Sequence, residues 1–417
     1  MDASLNTRIH YFFYECELLM KYNGLIISDI HIGAENIAQL KEELEGCFLS
    51  YIRNTFTQKK ALDFIIFLGD YFDHKLYMND ENSKYSSKFI RDLLDTIIQI
   101  NPKCKIRFVY GTESHECDQY DTILNNIDSK FDIRVIKHVS EEILFPHMNV
   151  LYIPEEHIAD KYEYYNEFFD RKEYTYVFGH GVIREVMKEA ALLSDNQKDS
   201  KRRKTPVFST AELRKIAKQS YFGHYHMNID DGIGFHYVGS FSRWKFGEDA
   251  QKGFYSIQYD VENDSYKEEF IPNTFAKEYK TISFGYSDKI FKSVENLDAK
   301  LNMLQNVIQS DSYEHVKFRF NIPEDCENPE SFITYINERF KHDEHVKVEI
   351  SHGYIESKKK REKETIKEDN QKYSMIFDKN ISIEDKISYF ISVEYNKSIS
   401  RESVDLYLNK PLDEILK

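Results

Sequence analysis

The sequence has few cysteines, and they form neither a disulfide framework nor a zinc motif. There are five in 417 residues, an odd number, and no two of them make a Cys-x-x-Cys pair. A disulfide framework or a zinc ribbon needs paired thiols at characteristic spacings. We therefore expect reduced thiols and a cytoplasmic location.

Long apolar runs and an excess of positive charge are also missing. No stretch approaches the about 18 unbroken apolar residues of a membrane span, and the first residues lack the order of a signal peptide. We expect a soluble protein that is not exported and has no membrane partner. Acidic residues outnumber basic ones by 71 to 56, for a net charge of -15. Because a broad basic surface is excluded, any contact with nucleic acid is expected to be local or mediated by metal ions.

What the sequence does contain is five short apolar runs, each followed by Asp or His. Continuous apolar runs are typical of strands that are buried on both faces of a sheet. Sites in such sheets gather beyond the carboxyl ends of the strands. The sequence therefore predicts an α/β fold in which five strand ends converge on one crevice. The residues that follow the runs are Asp29 and His31, Asp70 after Gly69, His115 after Gly111, His180 after Gly179, and His224 and His226 after Gly223.

This set of side chains is typical of a metal site. A lone His is more often a hydrogen-bonded structural residue, but five such motifs in order favour ligands. Mixed carboxylate and imidazole donors suit manganese, iron or zinc better than magnesium, which prefers oxygen. Asp70 is the natural bridge between two ions, because one carboxylate can serve two cations. Two ions held about 3.5 to 4 Å apart support an in-line displacement at phosphorus.

The chain divides into five segments by composition and pattern. We predict an N-terminal extension over 1–20, a catalytic domain over 21–271, a small α+β domain over 272–352, a charged linker over 353–380 and a helical segment over 381–417. The catalytic domain contains a polar loop with Lys201, Arg202 and Arg203. Such a charge run is either a solvated surface or an arm that contacts phosphates.

The last segment has the pattern of two short amphipathic helices. Ser382 and Asp385 form a capping-box signature, and a second helix is expected near Ser400. Two such helices have too little mutual surface to make a core of their own. They are predicted to dock on a partner, and the alternative is that they pack on their own chain. The apolar positions are Ile383, Ile387, Phe390, Ile391, Val404 and Leu408.

The motifs resemble those of a known superfamily. Asp-x-His, Gly-Asp-x-x-Asp, Gly-His and Gly-His-x-His, in this order, are similar to the motifs of calcineurin-like metallophosphoesterases. Within that superfamily the chain resembles the SbcD-type DNA repair nucleases, because residues 239–248 are similar to the Gly-Ser...Arg...Phe-x-Glu segment found there. The resemblance covers about residues 21–350 at the level of motifs, and the tail in arrangement only.

The resemblance implies a fold, a site and an activity. The fold would be a four-layer β-sandwich flanked by helices, with a small α+β capping domain and a C-terminal helical tail. The activity would be a metal-dependent DNA nuclease of repair or recombination, acting as a double-strand exonuclease and single-strand endonuclease. The partners would be DNA, a SbcC-like coiled-coil ATPase docked by the tail helices, and a second copy of the chain.

The resemblance also implies roles for individual residues. Two divalent ions, with Mn²⁺ as the expected metal, would be held at two adjoining positions. His115 would act at the leaving oxygen as a proton donor or a stabiliser of the transition state, and Asp73 would orient a ligand His. Arg243 would contact nucleic acid or, with Trp244, give structural support. The first ion would take Asp29, His31, Asp70 and His226, and the second Asp70, His180 and His224.

One motif departs from the family pattern. Family members have Gly-Asn-His followed by an acid, and the Asn ligates the second metal, whereas this chain reads Gly-Thr-Glu-Ser-His-Glu over 111–116. When the motif is aligned on His115, Ser114 occupies the position of the family's metal-ligating Asn. The seventh ligand is then Ser114, Glu113 or a water molecule.

Two other functions fit the same residues. The chain could be a small-molecule or protein phosphatase of the same superfamily, although the capping module and the tethered helices speak against it. It could also be a scaffold without activity that keeps a residual metal site, a hypothesis supported only by the altered 111–116 motif.

Overall fold

The computed structural model describes residues 20–34, 37–77, 80–124, 127, 130–170, 173–186, 205–285, 289–310, 313–323, 326–352, 382–395, 398–400 and 402–404. The chain divides into two compact units. One contains the described residues of Met1–Lys280 and Asp311–Val316, and the other those of Thr281–Ser310 and Lys317–Lys417. The boundary after residue 280 lies later than the 271/272 boundary expected from the sequence.

The first sheet of the larger unit has six strands in the order β14-β13-β1-β2-β3-β4. Strands β1 to β4 are parallel to one another. At one side of the sheet β13 is antiparallel to β1, and β14 is antiparallel to β13. Three strands that the apolar runs predicted, β1, β2 and β3, are therefore neighbours. The strands are β1 Lys21–Ile27, β2 Phe64–Leu68, β3 Lys105–Val109, β4 Asp132–Ile136, β13 Gly253–Asp260 and β14 Ser265–Pro272.

The second sheet also has six strands, in the order β11-β12-β10-β7-β6-β5. Its central strands β12, β10, β7 and β6 are parallel, and the strands at both edges are antiparallel to their neighbours. The other two predicted strands, β7 and β10, pair here. The strands are β5 Ser140–Phe145, β6 Met148–Ile153, β7 Tyr174–His180, β10 Ala217–Gly223, β11 Ile229–Asp230 and β12 Phe235–Tyr237, with a separate pair of β8 Val182–Ile183 and β9 Val207–Phe208.

Alternate side chains of the first sheet enter two different buried clusters. Ile65 and Phe67 of β2 pack in a cluster with helix residues such as Phe89. Ile66, between them, packs with Tyr152 of the second sheet. Successive side chains of a strand point to opposite faces of a sheet, so both faces of β2 are covered. This double burial is why the sequence of each central strand is a continuous apolar run.

A third cluster covers the other face of the second sheet. Val177 of β7 and Phe222 of β10 lie there with Tyr165 and Leu213, which come from two helices. The helices of this unit are Ile37–Glu43, a π-helical turn Leu44–Leu49, Ser50–Thr55, Glu81–Ile100, Glu113–Glu116, Tyr120–Leu124, Lys161–Phe169 and Thr210–Arg214. The mixed α/β class predicted from the sequence is confirmed.

The smaller unit has the alternation expected of an α+β module. Phe318 and Phe320 of β16 pack with Phe284 of β15 in its core. The elements of this part of the chain are β15 Glu278–Phe284, a 3-10 turn Lys289–Lys292, helix Val294–Ser310, β16 Tyr313–Ile322, helix Pro329–Arg339 and β17 Val346–His352, with sheet order β15-β16-β17.

The tail is described in part. Helix Ile383–Tyr395 begins after Ser382, whose Oγ accepts a hydrogen bond from the Asp385 N–H at 3.2 Å. The predicted cap is therefore present. The N-terminal extension, the charged linker and Leu408 lie outside the described residues. None of the described helices has the length and hydrophobicity needed to cross a bilayer.

Candidate metal centre

The ends of strands from both sheets meet at one place. In the first sheet Leu68 pairs with Val109, so the ends of β2 and β3 are level with each other. In the second sheet Gly223 pairs with His180, so the ends of β10 and β7 are level as well. The Asp29 carboxylate accepts from the backbone N–H of His224 at 3.2 Å, which joins the first sheet to the second. The predicted convergence of side chains is therefore what the structure shows.

Glycine is required at two of these ends because the sheets approach closely. A Cβ on Gly69, whose φ is +73°, would lie 2.3 Å from Nδ1 of His180. A Cβ on Gly223 would lie 2.0 Å from the Ser28 hydroxyl. Neither distance is possible for real atoms, so only glycine permits this contact between strand ends.

Four of the candidate ligand residues have a positive φ, which is 110° for His224 and close to +50° for the other three. The φ angles of Asp29, His31 and Asp70 are 49°, 50° and 46°. Residues other than glycine adopt this region at a cost and are found there mostly at functional sites, where the surroundings fix them.

Asp29, His31 and His226 form the first group of possible ligands. One ligand atom from each lies within 4.8 Å of the others, and the three residues are buried or half-buried. The Nε2 atoms of both imidazoles lie 4.0 Å from Asp29 Oδ1 and 3.0 Å from each other. These atoms face a common point.

Carboxylates behind the two imidazoles fix their orientation. The Nδ1 atom of His226 is 2.6 Å from Glu248 Oε1, and the Nδ1 atom of His31 is 3.5 Å from Asp73 Oδ1. The contact of His226 with Glu248 is a hydrogen bond, whereas Nδ1 of His31 has no hydrogen-bond partner among the described residues. The two Nε2 atoms face each other beside the Asp29 carboxylate, a set of donors that fits a metal ion.

Asp70, His180 and His224 form the second group. His180 is fully buried and its Nδ1 donates to the Leu68 carbonyl oxygen at 2.7 Å, so its Nε2 faces Asp70 Oδ2 at 3.4 Å. That Nε2 has no hydrogen-bond partner among the described residues, and neither has Nδ1 of His224. Buried polar atoms are normally paired. The unpaired nitrogens therefore also fit a cation that the side chains would coordinate.

Asp70 belongs to both halves of the site. Its Oδ2 lies 4.0 Å from His31 Nε2 as well as 3.4 Å from His180 Nε2. Its other oxygen accepts from the Thr112 N–H at 2.7 Å, which holds the carboxylate in place. The position between the two groups is the one predicted for a bridging ligand.

The site concentrates buried charge. Burial acts to raise the pKa of Asp70, but His180, His31 and His115 together lower it well below its usual range. Burial acts to lower the pKa of His180, yet Asp70 beside it, with Asp29 and Glu155, raises that pKa to about 10. The carboxylates thus hold a proton where a divalent ion would compete with it.

Glu155 is a site residue that the sequence analysis missed. Its Oε2 lies 3.2 Å from His224 Nδ1 and 3.7 Å from His180 Nε2. It follows the end of β6, which pairs with β7 through Ile153 and Gly179. The available signal was an apolar run followed by an acid, but Pro154 stands where four of the five predicted runs have glycine.

Ser114 is not brought to this cluster. It is exposed on the short helix Glu113–Glu116, as is Glu113. Thr112 lies at the cluster instead, with Oγ1 at 3.3 Å from Asp70 Oδ2 and 3.2 Å from Glu155 Oε2. The geometry therefore places Thr112 and Glu155, rather than Ser114, beside the second group.

His115, on the same short helix, lies beside the first group. Its ring centroid is 5.0 Å from that of His31, and one of its ligand atoms lies within 4.8 Å of His31 and Asp70. Its Nδ1 is hydrogen-bonded to the Asp73 carbonyl oxygen. The carboxylate of Asp73 also contacts His74 Nδ1 at 3.0 Å. The neighbouring His31 is the largest cause that lowers the pKa of Asp73 to about 2.

The residues expected to contact nucleic acid are only partly described. Lys201, Arg202 and Arg203 lie outside the described residues. Arg243 donates to the carbonyl oxygens of Glu248 at 3.2 Å and Ala276 at 3.0 Å, which are structural contacts.

No family model matches the chain, and no curated protein matches it either. Its function must therefore be inferred from the site itself.

Proposed function

We propose that this chain is a metal-dependent phosphodiesterase that cleaves DNA, of the SbcD-like metallophosphoesterase type. The observation that carries the proposal is the place of Asp70 between two groups of imidazoles, 4.0 Å from His31 Nε2 and 3.4 Å from His180 Nε2. A carboxylate shared in this way suits a pair of ions. The buried cluster with side chains from both sheets supports the layered sandwich of that superfamily.

The candidate ligands would divide between two metal ions. Asp29, His31, His226 and Asp70 would hold one divalent ion, and Asp70, His180 and His224, with Glu155 close by, would hold the other. Mixed imidazole and carboxylate donors favour Mn²⁺ over Mg²⁺. When bound, such ions would supply Lewis acidity toward a phosphodiester and lower the pKa of water.

The protein's own contribution to catalysis is orientation and proton transfer. Glu248 holds His226 by its Nδ1 atom, and Asp73 lies 3.5 Å from Nδ1 of His31, so that Nε2 of each ring faces the site. The Nδ1 atom of His115 is used by the Asp73 carbonyl oxygen, so Nε2 is its free nitrogen. In its protonated form His115 would donate from Nε2 to the leaving oxygen of the substrate.

The other segments of the chain would bind DNA and protein partners around the site. Residues 272–352 would cap the DNA, and Lys201, Arg202 and Arg203 would contact phosphates locally, as an acidic protein requires. Residues 381–417, joined through the linker 353–380, would bind a SbcC-like ATPase. A second copy would pack on the helices of the first domain. The described cysteines are free thiols, in keeping with a cytoplasmic enzyme.

The test is hydrolysis by the metal-free chain after addition of Mn²⁺. We expect cleavage of linear double-stranded DNA and of a chromogenic phosphodiester, with loss of both on chelation. His115→Ala should keep both ions but lose turnover by about 100-fold or more, the range of general acid catalysis. Bound manganese and rate are measured on the same samples.

A matched variant is His138→Ala, which removes an exposed imidazole that contacts Glu156 outside the cluster. It should behave as wild type. Hydrolysis of phosphomonoesters without cleavage of DNA would favour the phosphatase alternative. Manganese binding without any hydrolysis would favour the scaffold alternative.

A further inference from the structure

A separate group of possible ligands lies where edge strands of the two sheets come together. Asp230 is on β11 and His236 on β12 of the second sheet, whereas Glu268 is on β14 of the first. One nitrogen of His236 and one oxygen from each carboxylate lie within 4.8 Å of one another. The group shares no residue with the metal centre described above.

His236 is buried and surrounded by oxygen acceptors. It is 0% exposed, and its ring stacks on Tyr221 with centroids 4.6 Å apart. Its Nε2 lies 3.0 Å from Glu268 Oε2 and 3.0 Å from Gln219 Oε1. Its Nδ1 lies 3.5 Å from Asp230 Oδ1 and has no hydrogen-bond partner among the described residues.

The donors and acceptors in this group do not balance. A neutral imidazole carries one N–H, but three oxygen acceptors face its two nitrogens. Burial of an unpaired nitrogen next to carboxylates is costly. A positive charge added among Asp230, His236 and Glu268 would balance the group.

The carboxylates are held ready and can be reached from solvent. The Tyr221 hydroxyl donates to Glu268 Oε2 at 2.6 Å, and the Gly232 N–H donates to Asp230 Oδ1 at 2.7 Å. These contacts orient the oxygens as outer partners orient metal ligands. The side chains of Asp230 and Glu268 are 47% and 32% exposed, which leaves a path for a hydrated ion.

We propose that Asp230, His236 and Glu268 form a further divalent-cation site that binds zinc. One imidazole and two carboxylates are a ligand set that zinc accepts, with Gln219 as an additional oxygen donor. The ion ties β12 of one sheet to β14 of the other. It stabilises the larger unit and takes no part in hydrolysis.

The experiment counts zinc ions bound per full-length chain after equilibrium dialysis, by elemental analysis. Asp230→Asn and Glu268→Gln should each bind one ion fewer than wild type and melt at the same temperature with and without the additional zinc equivalent. Both should keep the wild-type rate of phosphodiester hydrolysis with Mn²⁺, which separates this site from the proposed function. Asp264→Asn is the matched control, since Asp264 is an exposed acid of the same β13–β14 hairpin that pairs with Lys218.

An equal zinc count in wild type, Asp230→Asn and Glu268→Gln would overturn the proposal. His236 would then make only structural polar contacts with the two carboxylates. Circular dichroism of each variant shows that it is folded. Because Asp230 is partly exposed, replacing one oxygen by an amide nitrogen there leaves the packing unchanged.

Discussion

The Nε2 atoms of His31 and His226 lie 3.0 Å apart while the Nδ1 atom of each faces a carboxylate. Each ring is thereby fixed with its second nitrogen toward the partner ring. At this distance one ring donates to the other, and a divalent ion between the rings would take the place of that shared proton. The proposed metal site rests on the convergence of these two imidazoles with the Asp29 carboxylate.

Replacing Asp70 should have the largest effect on the site. Asp70→Asn leaves a neutral amide between two cations, so we expect loss of at least one bound ion and a fall in hydrolysis of about 100-fold or more, beyond the range seen for outer-shell partners. Elemental analysis and rate, measured together, check this. Asp92→Asn, at a half-buried position that pairs with Lys88 away from the site, should have no effect. A fully active Asp70→Asn enzyme would contradict the dinuclear assignment.

Glu248 should act on the metal only through His226. Burial acts to raise its pKa, but the hydrogen bond with His226 lowers that pKa to about 2, so the carboxylate is charged at neutral pH. Glu248→Gln should raise the half-saturating Mn²⁺ concentration by about 10- to 100-fold and leave the rate at saturation close to wild type. The exposed Glu262→Gln is the control. An unchanged half-saturating concentration would show that His226 does not need this support.

Much of the site could be predicted from the sequence because its signals are local. A strand buried on both faces is a continuous apolar run, and at four of the five runs a glycine at its carboxyl end precedes the candidate ligand. Asp70 after Gly69 and His180 after Gly179 are two examples. The pairing of β2 with β3 and of β10 with β7 then brings the ends level.

The remaining site residues depend on contacts between distant parts of the chain. Glu155 is near His180 only because β6 pairs with β7, and Glu248 reaches His226 from a loop after β12. In the 111–116 motif, the alignment on His115 took no account of the helical turn, which leaves Ser114 exposed.

The second ion should depend on Glu155 and not on Ser114. Glu155→Gln removes a charge 3.2 Å from His224 Nδ1, so we expect about tenfold or more weaker binding of one of two Mn²⁺ ions. Ser114→Ala changes an exposed side chain and should bind both ions as wild type does. Titration of bound manganese compares the two variants. Loss of an ion in Ser114→Ala, with Glu155→Gln unchanged, would restore the assignment made from the sequence.

Glu116 should make the metal-free protein less stable as pH rises. Burial, and then the charge of Asp70, raise its pKa from 4.5 to about 8. The folded chain therefore binds a proton that the unfolded chain has lost. The stabilising contribution is complete below about pH 4.5 and disappears as pH rises through 8.

The side chain in Glu116→Gln stays neutral at every pH. The free energy of unfolding of this variant, relative to that of wild type, should therefore be larger at pH 9 than at pH 6. Urea unfolding in the presence of a chelator measures this difference at both pH values. Glu113→Gln, exposed on the same short helix, is the control. If the difference between Glu116→Gln and wild type is the same at both pH values, Glu116 is ionised throughout.

The tail agrees with its sequence pattern only in part. Ile383 and Phe390 on helix Ile383–Tyr395 are 64% and 42% exposed, as a docking face requires. Ile387 and Ile391 are half-buried. Val404 is only 3% exposed, so the expectation that it faces a partner is wrong. The candidate docking surface is therefore the exposed pair on the first tail helix.

Charging this pair should weaken partner binding without weakening the fold. Ile383→Glu with Phe390→Glu places two carboxylates where solvent already reaches, so the melting temperature should stay close to wild type. In an apolar interface, however, an unpaired charge costs several kcal/mol. We therefore expect the Kd for a purified SbcC-like ATPase from the same source to increase by about 100-fold or more. Met303→Glu, at a site 65% exposed on helix Val294–Ser310, adds a charge elsewhere and should leave Kd unchanged. If the double variant binds as tightly as wild type, this helix is not the docking element, and the β15-β16-β17 module becomes the surface to test.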